Sequence, residues 1–485
     1  METEVKQVNL TKQQQDVVDA RSGTILVEAC PGSGKTATLV ERCRVLPAAE
    51  TKVVLAFNKR AAEDFSKRMG SVPGSDVRTF HSFCYREIMR DPRGFGYNRK
   101  PTQYEGTLFA GMLAANSPTT LGGWAKLGWD EDFAKDAEHS MHDEDLQEVI
   151  RSTPKVMVSE RRQKYDEAIE VVTARAVLGY REWIANKNLW TFDSMVRLVA
   201  KNASNLRRAG HHVMVDEYQD VDRFQFDIAT ALAAAPGTKS FVCVGDPNQR
   251  IYEWRGALAS AFTDAAAVFK GSSVLSLTTN FRSYDEILEH AETVCPVGMV
   301  GVRGRQPGSV SFSDPKSDDV SALAIDGQYA KSAILCRYNR DCLMWNLKLA
   351  KRGIPVFLIG KGDFWRAEHI KLAKAAWEKG MKEHEFFASD GWLAIMRRKK
   401  LRDNPDLADE YAADVKFIIN LSEKDMDIIE QSLQREDGLR ISTIHRTKGL
   451  EFDRVMVSGV TERLKDETFV YYVAVTRARN KLILA

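Results

Sequence analysis

The sequence predicts an α/β protein in which two parallel sheets follow one another along the chain. Short apolar runs rich in β-branched residues alternate with helical stretches, and these runs fall into two groups, at residues 24–275 and 330–485. Strands that are apolar without alternation are typical of sheets covered by helices on both faces. Each group is interrupted by a helix-like stretch without strand signals, at residues 91–178 and 366–430. We interpret these two stretches as helical insertions.

Composition excludes several classes of protein. The 485 residues are enough for roughly three units of about 150 residues each. No apolar run approaches the roughly 20 residues of a membrane span, and the polar N-terminus lacks the features of a secretory signal. The seven cysteines contain no Cys-x-x-Cys pair, which argues against a disulfide framework or a structural zinc site. We therefore expect a cytoplasmic protein with reduced thiols and no membrane partner.

Charge alone does not identify a partner. A net charge of +2 neither requires nor excludes nucleic acid, because binding to a phosphate backbone needs only a local basic track. The basic run "MRRKKLR" at 396–402 is either a solvated face or part of such a track.

A phosphate-binding loop follows the first predicted strand. In "TILVEACPGSGKT" an apolar strand enters a turn of small residues and then a helix start, the context that a P-loop requires. Backbone N–H groups of the turn and the helix N-terminus can surround phosphates, Lys35 can neutralise the β and γ charges, and Thr36 can ligate Mg²⁺. Ala29 stands where the motif usually has its first glycine. The predicted nucleotide-binding residues are Ala29, Cys30, Pro31, Gly32, Ser33, Gly34, Lys35 and Thr36.

Two acids end a later strand. The run "HHVMVDEYQD" places Asp216 and Glu217 directly after apolar residues. Beside a P-loop, Asp216 would hold the metal with Thr36, and Glu217 would activate the attacking water. The alternative is a plain helix cap.

Ten segments, in the same order along the chain, resemble the UvrD/Rep/PcrA family of superfamily 1A DNA helicases. They are "LTKQQQDVV", "ACPGSGKT", "LAFNKRAAEDF", "TFHSFC", "VDEYQD", "VGDPNQRIYEWRGA", "TTNFRS", "AILCRYNR", "ISTIHRTKGLEFD" and "YVAVTRAR". The resemblance implies two RecA-like domains in tandem, with ATP hydrolysis driving movement along single-stranded DNA. The implied ranges are 1–90 with 179–276 for domain 1A, 91–178 for insertion 1B, 277–365 with 431–485 for domain 2A, and 366–430 for insertion 2B. Relatives that separate strands usually carry a large second insertion. Only residues 366–430 are left for it in this chain, so we expect a reduced one.

The resemblance also implies roles around ATP. Gln14 would read the adenine edge, Phe281 would lie against the adenine ring, and Glu451 would contact the ribose. Arg282 and Arg477 would act as arginine fingers, each worth roughly 10³–10⁵ in rate. The further implied residue is a γ-phosphate sensor, Gln249. An arginine often follows the P-loop threonine in the family, whereas this chain has Ala37.

A single-strand track is the last implied site. Sequence-independent grip combines aromatic stacking with contacts to phosphates, and "RIYEWRGA" offers both kinds of side chain together. Taken alone, an aromatic residue at such spacing is more often part of a core. The expected DNA-binding residues are Phe57, His81, Tyr252, Trp254, Arg255, Arg337, Thr443 and His445.

Several functions are consistent with these motifs. The first is an ATP- and Mg²⁺-dependent DNA helicase that moves 3′-to-5′, acts as a monomer and binds single strands and junctions of single- and double-stranded DNA. The second is a translocase that strips recombinase or other proteins from DNA with little unwinding. The third is a nucleotide-binding switch without motor activity, and an RNA substrate is a further alternative. We expect a nucleoid-associated protein of the cytoplasm, or of the host cytoplasm if it is viral, with single-strand-binding or recombination proteins as partners.

Overall fold

The computed structural model describes two units of the chain. The described residues are 9–103, 178, 181–182, 184–206, 210–253, 256–314, 320–324, 329, 331–360, 364–365, 367–398, 401 and 404–485. Among them, the first unit ends at Thr279 and the second comprises Asn280–Ala485.

The first unit contains a six-stranded parallel sheet in the order β3, β2, β6, β7, β1, β8. Leu26 packs into one hydrophobic cluster, whereas its neighbours Ile25 and Val27 pack into another, so apolar side chains leave β1 on both faces. A short pair, β4 with β5, accompanies this sheet. The strands are β1 Gly23–Ala29, β2 Lys52–Ala56, β3 Ser75–Thr79, β4 Thr102–Gln103, β5 Leu189–Trp190, β6 His212–Val215, β7 Ser240–Gly245 and β8 Ser273–Leu277.

Side-chain caps fix where the helices of this unit begin. Thr11 accepts a hydrogen bond from the backbone N–H of Gln14, and the Gln14 side chain accepts one from the backbone N–H of Thr11, which completes a capping box. Asn58, Thr79 and Asp222 each cap the helix that begins at the next residue. The helices are α1 Lys12–Asp19, α2 Lys35–Val45, α3 Lys59–Met69, α4 Phe80–Arg90, α5 Phe192–Lys201, α6 Arg223–Ala234 and α7 Ala261–Val268.

The second unit repeats the architecture. Its parallel sheet has the strand order β11, β16, β15, β12, β14, β13. The strands are β9 Thr279–Asn280, which crosses the division between the units, β10 Val300–Gly301, β11 Val310–Phe312, β12 Ser332–Cys336, β13 Val356–Leu358, β14 Leu439–Thr443, β15 Phe452–Val457 and β16 Ala478–Leu484. The helices are α8 Asp285–Val294, α9 Asn339–Ala350, α10 Glu368–Glu378, α11 Glu383–Phe387, α12 Asp390–Arg398, α13 Pro405–Ile419, α14 Glu423–Gln434, α15 Glu462–Asp466 and α16 Thr468–Val475. The predicted α/β class with two parallel sheets in tandem is confirmed.

The second predicted insertion, residues 366–430, is helical throughout its described part. Helices α10 to α13 share a small core that contains Ile370, Trp392 and Val415. By contrast, α14 contributes Ile429 to the larger cluster that covers the sheet. The first predicted insertion lies almost wholly outside the described residues, and the four domain ranges stay predictions.

No helix within the described ranges has the length and apolarity needed to cross a membrane.

A buried arginine joins three elements of the first unit. Arg42 of α2 is completely buried, and its guanidinium donates to the carbonyl oxygen of Val17 at 2.6 Å and to the Ser240 hydroxyl at 2.9 Å. The last four carbonyls of a helix lack partners within the helix, so Arg42 satisfies one of these at the end of α1. Burial lowers the pKa of Arg42 to about 10, which leaves the group charged at neutral pH. This side chain therefore fixes α1, which carries Gln14, against the helix that follows the P-loop.

We predict that Arg42→Ala destabilises the first unit by about 2 kcal/mol, because it leaves the Val17 carbonyl without its side-chain donor and leaves the Ser240 hydroxyl with only its His212 contact. Arg44→Ala is the matched control. Arg44 lies on the same helix, in a surface ion pair with Glu41 and an exposed hydrogen bond to the carbonyl oxygen of Arg68, and its loss costs about 1 kcal/mol. Urea unfolding of the whole chain measures both effects. Equal midpoints for the two variants would contradict the role given to Arg42.

Candidate nucleotide site and single-strand surface

The loop after β1 has the conformation of a phosphate-binding turn. Gly32 and Gly34 have φ angles of 68° and 79°, in the left-handed region that favours glycine. A Cβ on Gly34 would also lie 2.8 Å from the side-chain nitrogen of Gln14, so a side chain at this position would displace the Gln14 amide. Helix α2 begins at Lys35, directly after the turn. Ala29 ends β1 without a positive φ, which explains why alanine is tolerated where the motif usually has glycine.

Interior contacts hold the turn in place. The Ser33 hydroxyl donates to the carbonyl oxygen of Cys30 at 2.8 Å. The Gln14 amide nitrogen donates to the carbonyl oxygen of Ser33 at 3.0 Å, and the Gln14 side-chain oxygen accepts from the backbone N–H of Thr11 at 2.9 Å. Cys30 is buried, and its thiol lies 3.5 Å from the carbonyl oxygen of Pro31. The structure therefore brings the predicted adenine-reading residue directly against the P-loop.

Asp216 and Thr36 meet at the carboxyl end of β6. The Thr36 hydroxyl donates to the Asp216 carboxylate at 3.3 Å. Burial, and then the charge of Glu217, raise the pKa of Asp216 to about 7, although the charge of Lys35 opposes this shift. A hydroxyl and a carboxylate are the hard oxygen ligands that Mg²⁺ prefers, and a nearby cation would offset the desolvation of Asp216. Thr36 and Asp216 would therefore hold a magnesium ion, which would supply positive charge at this edge of the sheet.

A chain of hydrogen bonds connects Glu217 to Gln249. The amide nitrogen of Gln219 donates to the Glu217 carboxylate at 2.6 Å, and the amide oxygen of Gln219 accepts from the backbone N–H of Asp246 at 2.9 Å. Gln249 in turn donates to the Asp246 carboxylate at 2.8 Å. Sequence reasoning did not single out Gln219 or Asp246. The available signal was their position inside the "VDEYQD" and "VGDPNQ" segments, two residues after Glu217 and three residues before Gln249.

Three of the predicted DNA-binding residues of the first unit, Phe57, His81 and Tyr252, take part in aromatic contacts. Phe57 and Tyr252 are stacked, with ring centroids 5.5 Å apart and planes 13° apart. His81 lies edge-on to Phe192 at 6.0 Å. Phe192 was not predicted. It is 56% exposed at the first position of α5, and its exposure is not readable from a sequence in which aromatic residues are mostly buried.

Two further predicted residues, Trp254 and Arg255, lie outside the described residues.

Both predicted arginine fingers lie beside Thr476 in the second unit. Arg282 donates to the carbonyl oxygen of Thr476 at 3.0 Å and to the Glu451 carboxylate at 2.7 Å. Arg477 donates to the Thr476 hydroxyl at 3.2 Å and to the carbonyl oxygen of Leu450 at 3.1 Å. The predicted ribose contact, Glu451, is thus the ion-pair partner of one finger. Phe281, predicted to lie against adenine, has 40% of its surface exposed.

The predicted DNA contacts of the second unit lie at the carboxyl ends of adjacent strands. Arg337 follows β12, whereas Thr443 ends β14 and His445 lies in the short 3₁₀ turn after it. Arg337 forms an ion pair with Glu467. Burial, and then the positive charge of Arg337, lower the pKa of His445 to about 4. His445 is therefore neutral at physiological pH, so any contact it makes with DNA uses hydrogen bonding or stacking and not charge.

The first parallel sheet carries a P-loop and the adjacent acids Asp216 and Glu217, and the second unit carries two arginines that lie close together. These features define a P-loop nucleotide-binding protein with tandem α/β units. The sequence matches the UvrD/REP helicase N-terminal domain over residues 10–270 and the UvrD-like helicase C-terminal domain over residues 403–485. The chain belongs to the UvrD/REP helicase family.

Individual relatives are distant in sequence. The ATP-dependent DNA helicase PcrA of Bacillus subtilis is 24% identical over 396 residues, which cover 74% of this chain and 51% of that protein. The ATP-dependent DNA helicase UvrD2 of Mycobacterium bovis is 24% identical over 98% of this chain and 78% of its own length. The F-box DNA helicase protein 1 of Schizosaccharomyces pombe is 23% identical over 98% of this chain and 57% of its own length. The chain therefore spans about half the length of the first of these relatives.

We predict that the His445 ring titrates near pH 4, well below the usual value of about 6.5. Because the unfolded chain binds this proton at higher pH than the folded chain does, stability is complete above about pH 6.5 and falls as the pH drops towards 4. The ring signal in NMR measures the pKa directly, and unfolding at a series of pH values measures the stability. His445→Gln should remove that part of the pH dependence. A ring that titrates at its usual value would refute the prediction.

Proposed function

We propose that the protein is an ATP-dependent DNA helicase that couples ATP hydrolysis to 3′-to-5′ movement on single-stranded DNA and to strand separation. The observation that carries the proposal is the grouping of Lys35 and Glu217, both half-buried, around the buried carboxylate of Asp216, in a chain of this family. The direction of movement rests on the family resemblance alone.

Hydrolysis follows from the chemistry of these side chains. Lys35 and the N-terminus of α2 neutralise the β- and γ-phosphates of ATP. Thr36 and Asp216 would hold Mg²⁺, which supplies further positive charge at the phosphates when bound. Water attacks the γ-phosphorus, the bond from that phosphorus to the β-bridging oxygen breaks, and Glu217 takes the proton from the water. The Gln219 amide keeps the Glu217 carboxylate oriented.

The second unit supplies the remaining charge in this proposal. Arg282 and Arg477 are assigned to the γ-phosphate as fingers. Because Arg282 forms an ion pair with Glu451, a contact between Arg282 and phosphate would remove one of the two arginine partners of Glu451 and leave Arg479 as the other. The chain from Glu217 through Gln219 to Gln249 provides a route by which hydrolysis acts on the segment that contains Tyr252.

Single-stranded DNA is assigned to the aromatic side chains described above for the first unit and to the polar side chains at the strand ends of the second unit. Exposed or half-buried rings can stack on bases regardless of sequence, at about 1–3 kcal/mol per base. In the first unit this role falls to Phe57, His81, Tyr252 and Phe192, with Trp254 and Arg255 assigned by resemblance. In the second unit the role falls to Arg337, Thr443 and His445. A monomer carries both sets of residues.

A second candidate is a translocase that strips proteins from DNA and unwinds little. The observation that favours it is the size of the second insertion, which consists of four helices, α10 to α13, before α14 packs with the core that covers the sheet. A reduced insertion offers less surface for a duplex.

We predict that Lys35→Ala and Glu217→Gln both abolish ATP hydrolysis, by about 10³-fold or more, for different reasons. Lys35→Ala removes phosphate charge and so weakens ATP binding as well, whereas Glu217→Gln removes the base and retains ATP. Steady-state ATPase rates and binding of a fluorescent ATP analogue separate the two effects. Glu28→Gln, at an exposed position of β1, is the matched acid control and should hydrolyse ATP normally. Substantial hydrolysis by Glu217→Gln would rule out its role as the base.

Tailed duplexes test the proposed movement. We expect unwinding of 3′-tailed DNA, because the resemblance implies that polarity, and no unwinding of 5′-tailed DNA. Strand displacement is measured on both substrates and on their RNA-containing versions, beside the ATPase rate with and without single strands.

Each alternative has its own outcome in that experiment. Unwinding of 5′-tailed DNA alone would refute the polarity. Efficient removal of a bound protein block without unwinding would favour the second candidate. An ATPase rate unaffected by single strands would leave a nucleotide switch, and faster unwinding of RNA would redirect the substrate assignment.

A further inference from the structure

A row of aromatic rings continues beyond the predicted DNA-binding residues of the first unit. Phe192 lies edge-on to Trp190, with centroids 5.7 Å apart, and Trp190 contacts Tyr85 at 5.4 Å. Tyr85 is one turn after His81 on α4, so both side chains lie on the same face of that helix. Trp190 is buried, whereas Tyr85 and Phe192 are 44% and 56% exposed. The buried Trp190 thus supports two exposed rings, those of Tyr85 and Phe192. Tyr85 is neither one of the predicted DNA-binding residues nor one of the residues assigned to DNA in the proposed function.

The exposed ring of Tyr85 is placed to meet a different base from the one at Phe192. Bases stacked along one strand are separated by about 3.4 Å, and each centroid spacing in the row exceeds that distance. A tyrosine ring fixed by a neighbouring indole loses little freedom when a base stacks on it.

Basic residues adjoin the strand pair that carries Trp190. Lys100 precedes β4 and Lys187 precedes β5, and both are exposed. The side chain of Asn188 donates to the carbonyl oxygen of Lys100 at 3.1 Å, so the two basic loops are held side by side. Gln103 pairs with Trp190 in the ladder between the two strands. Lys100 and Lys187 therefore each lie two residues before a strand of the pair that carries Trp190.

We infer that Tyr85, Lys100 and Lys187 form a further subsite for single-stranded DNA, next to the contacts of His81 and Phe192. The Tyr85 ring stacks on one base, and the two ammonium groups contact phosphates of the same strand. This inference rests on the proposed function, and it adds at least one nucleotide to the length of strand held by the first unit.

A length series of oligothymidylates tests the stacking role, with affinity measured by fluorescence anisotropy on the full chain. We expect Tyr85→Ala to weaken binding of long oligonucleotides about tenfold and to leave the shortest binding oligonucleotides unaffected. Tyr85→Phe retains the ring and should bind as the unsubstituted protein does. Phe312→Ala is the control for loss of an exposed aromatic residue, since Phe312 is 79% exposed on β11 of the other unit. Thermal unfolding verifies that the variants are folded.

The outcomes separate the inference from the proposed function. Equal loss at every length, or no loss at any length, would overturn the subsite while leaving the helicase assignment in place. Failure of the unsubstituted protein to bind any oligothymidylate would overturn both.

Salt dependence tests the two lysines independently. For single strands, log K falls with log salt by about 0.7 per phosphate contact, so the double variant Lys100→Ala with Lys187→Ala should reduce the slope by about 1.4. The double variant Lys270→Ala with Lys379→Ala removes two exposed lysines elsewhere and should leave the slope unchanged. An unaltered slope in the first double variant would exclude phosphate contacts by Lys100 and Lys187.

Discussion

Burial of the Asp216 carboxylate is the constraint on which the nucleotide site depends. Strands β6, β7 and β1 are neighbours in a parallel sheet, so their carboxyl ends meet at one edge. That edge collects Asp216 after β6, Asp246 after β7 and the P-loop after β1. Burial raises the pKa of both aspartates, which means that desolvation opposes their charged forms. A site built in this way is completed by positive charge, and Lys35 provides part of it.

The Gln219 amide connects two acidic segments, those of Glu217 and Asp246, without adding charge to the site. A basic side chain between Glu217 and Asp246 would neutralise them, and an acidic one would add repulsion. An amide instead donates to the Glu217 carboxylate and accepts from the backbone N–H of Asp246, without changing the net charge. Because both ends of the amide are satisfied, its orientation is fixed, and Glu217 is fixed with it. Gln249 then joins through the Asp246 carboxylate.

Local signals made much of this predictable from the sequence. The P-loop, the acid pair and the apolar strands depend on residues close together in the chain, and the parallel α/β class follows from the unbroken apolar runs. Contacts between distant segments were not predictable in this way. The stacking of Phe57 on Tyr252 and the row through Trp190 need the fold to bring their segments together. The amphipathic pattern of α14 identifies a helix, whereas its packing with the core that covers the sheet depends on the tertiary structure.

Arg282 and Arg477 differ in how firmly their guanidinium groups are held, and this difference affects their proposed roles as arginine fingers. Arg477 is 1% exposed and donates to the backbone carbonyls of Val473 and Leu450 and to the Thr476 hydroxyl, so its guanidinium is held by neutral acceptors. Arg282 instead pairs with Glu451, whose side chain is 41% exposed. An ion pair with so exposed a partner contributes at most about 1 kcal/mol, which a doubly charged phosphate can readily exceed. In the proposed mechanism, Arg282 is therefore the finger whose partner exchanges when nucleotide binds, and Arg477 is the one whose position is set in advance.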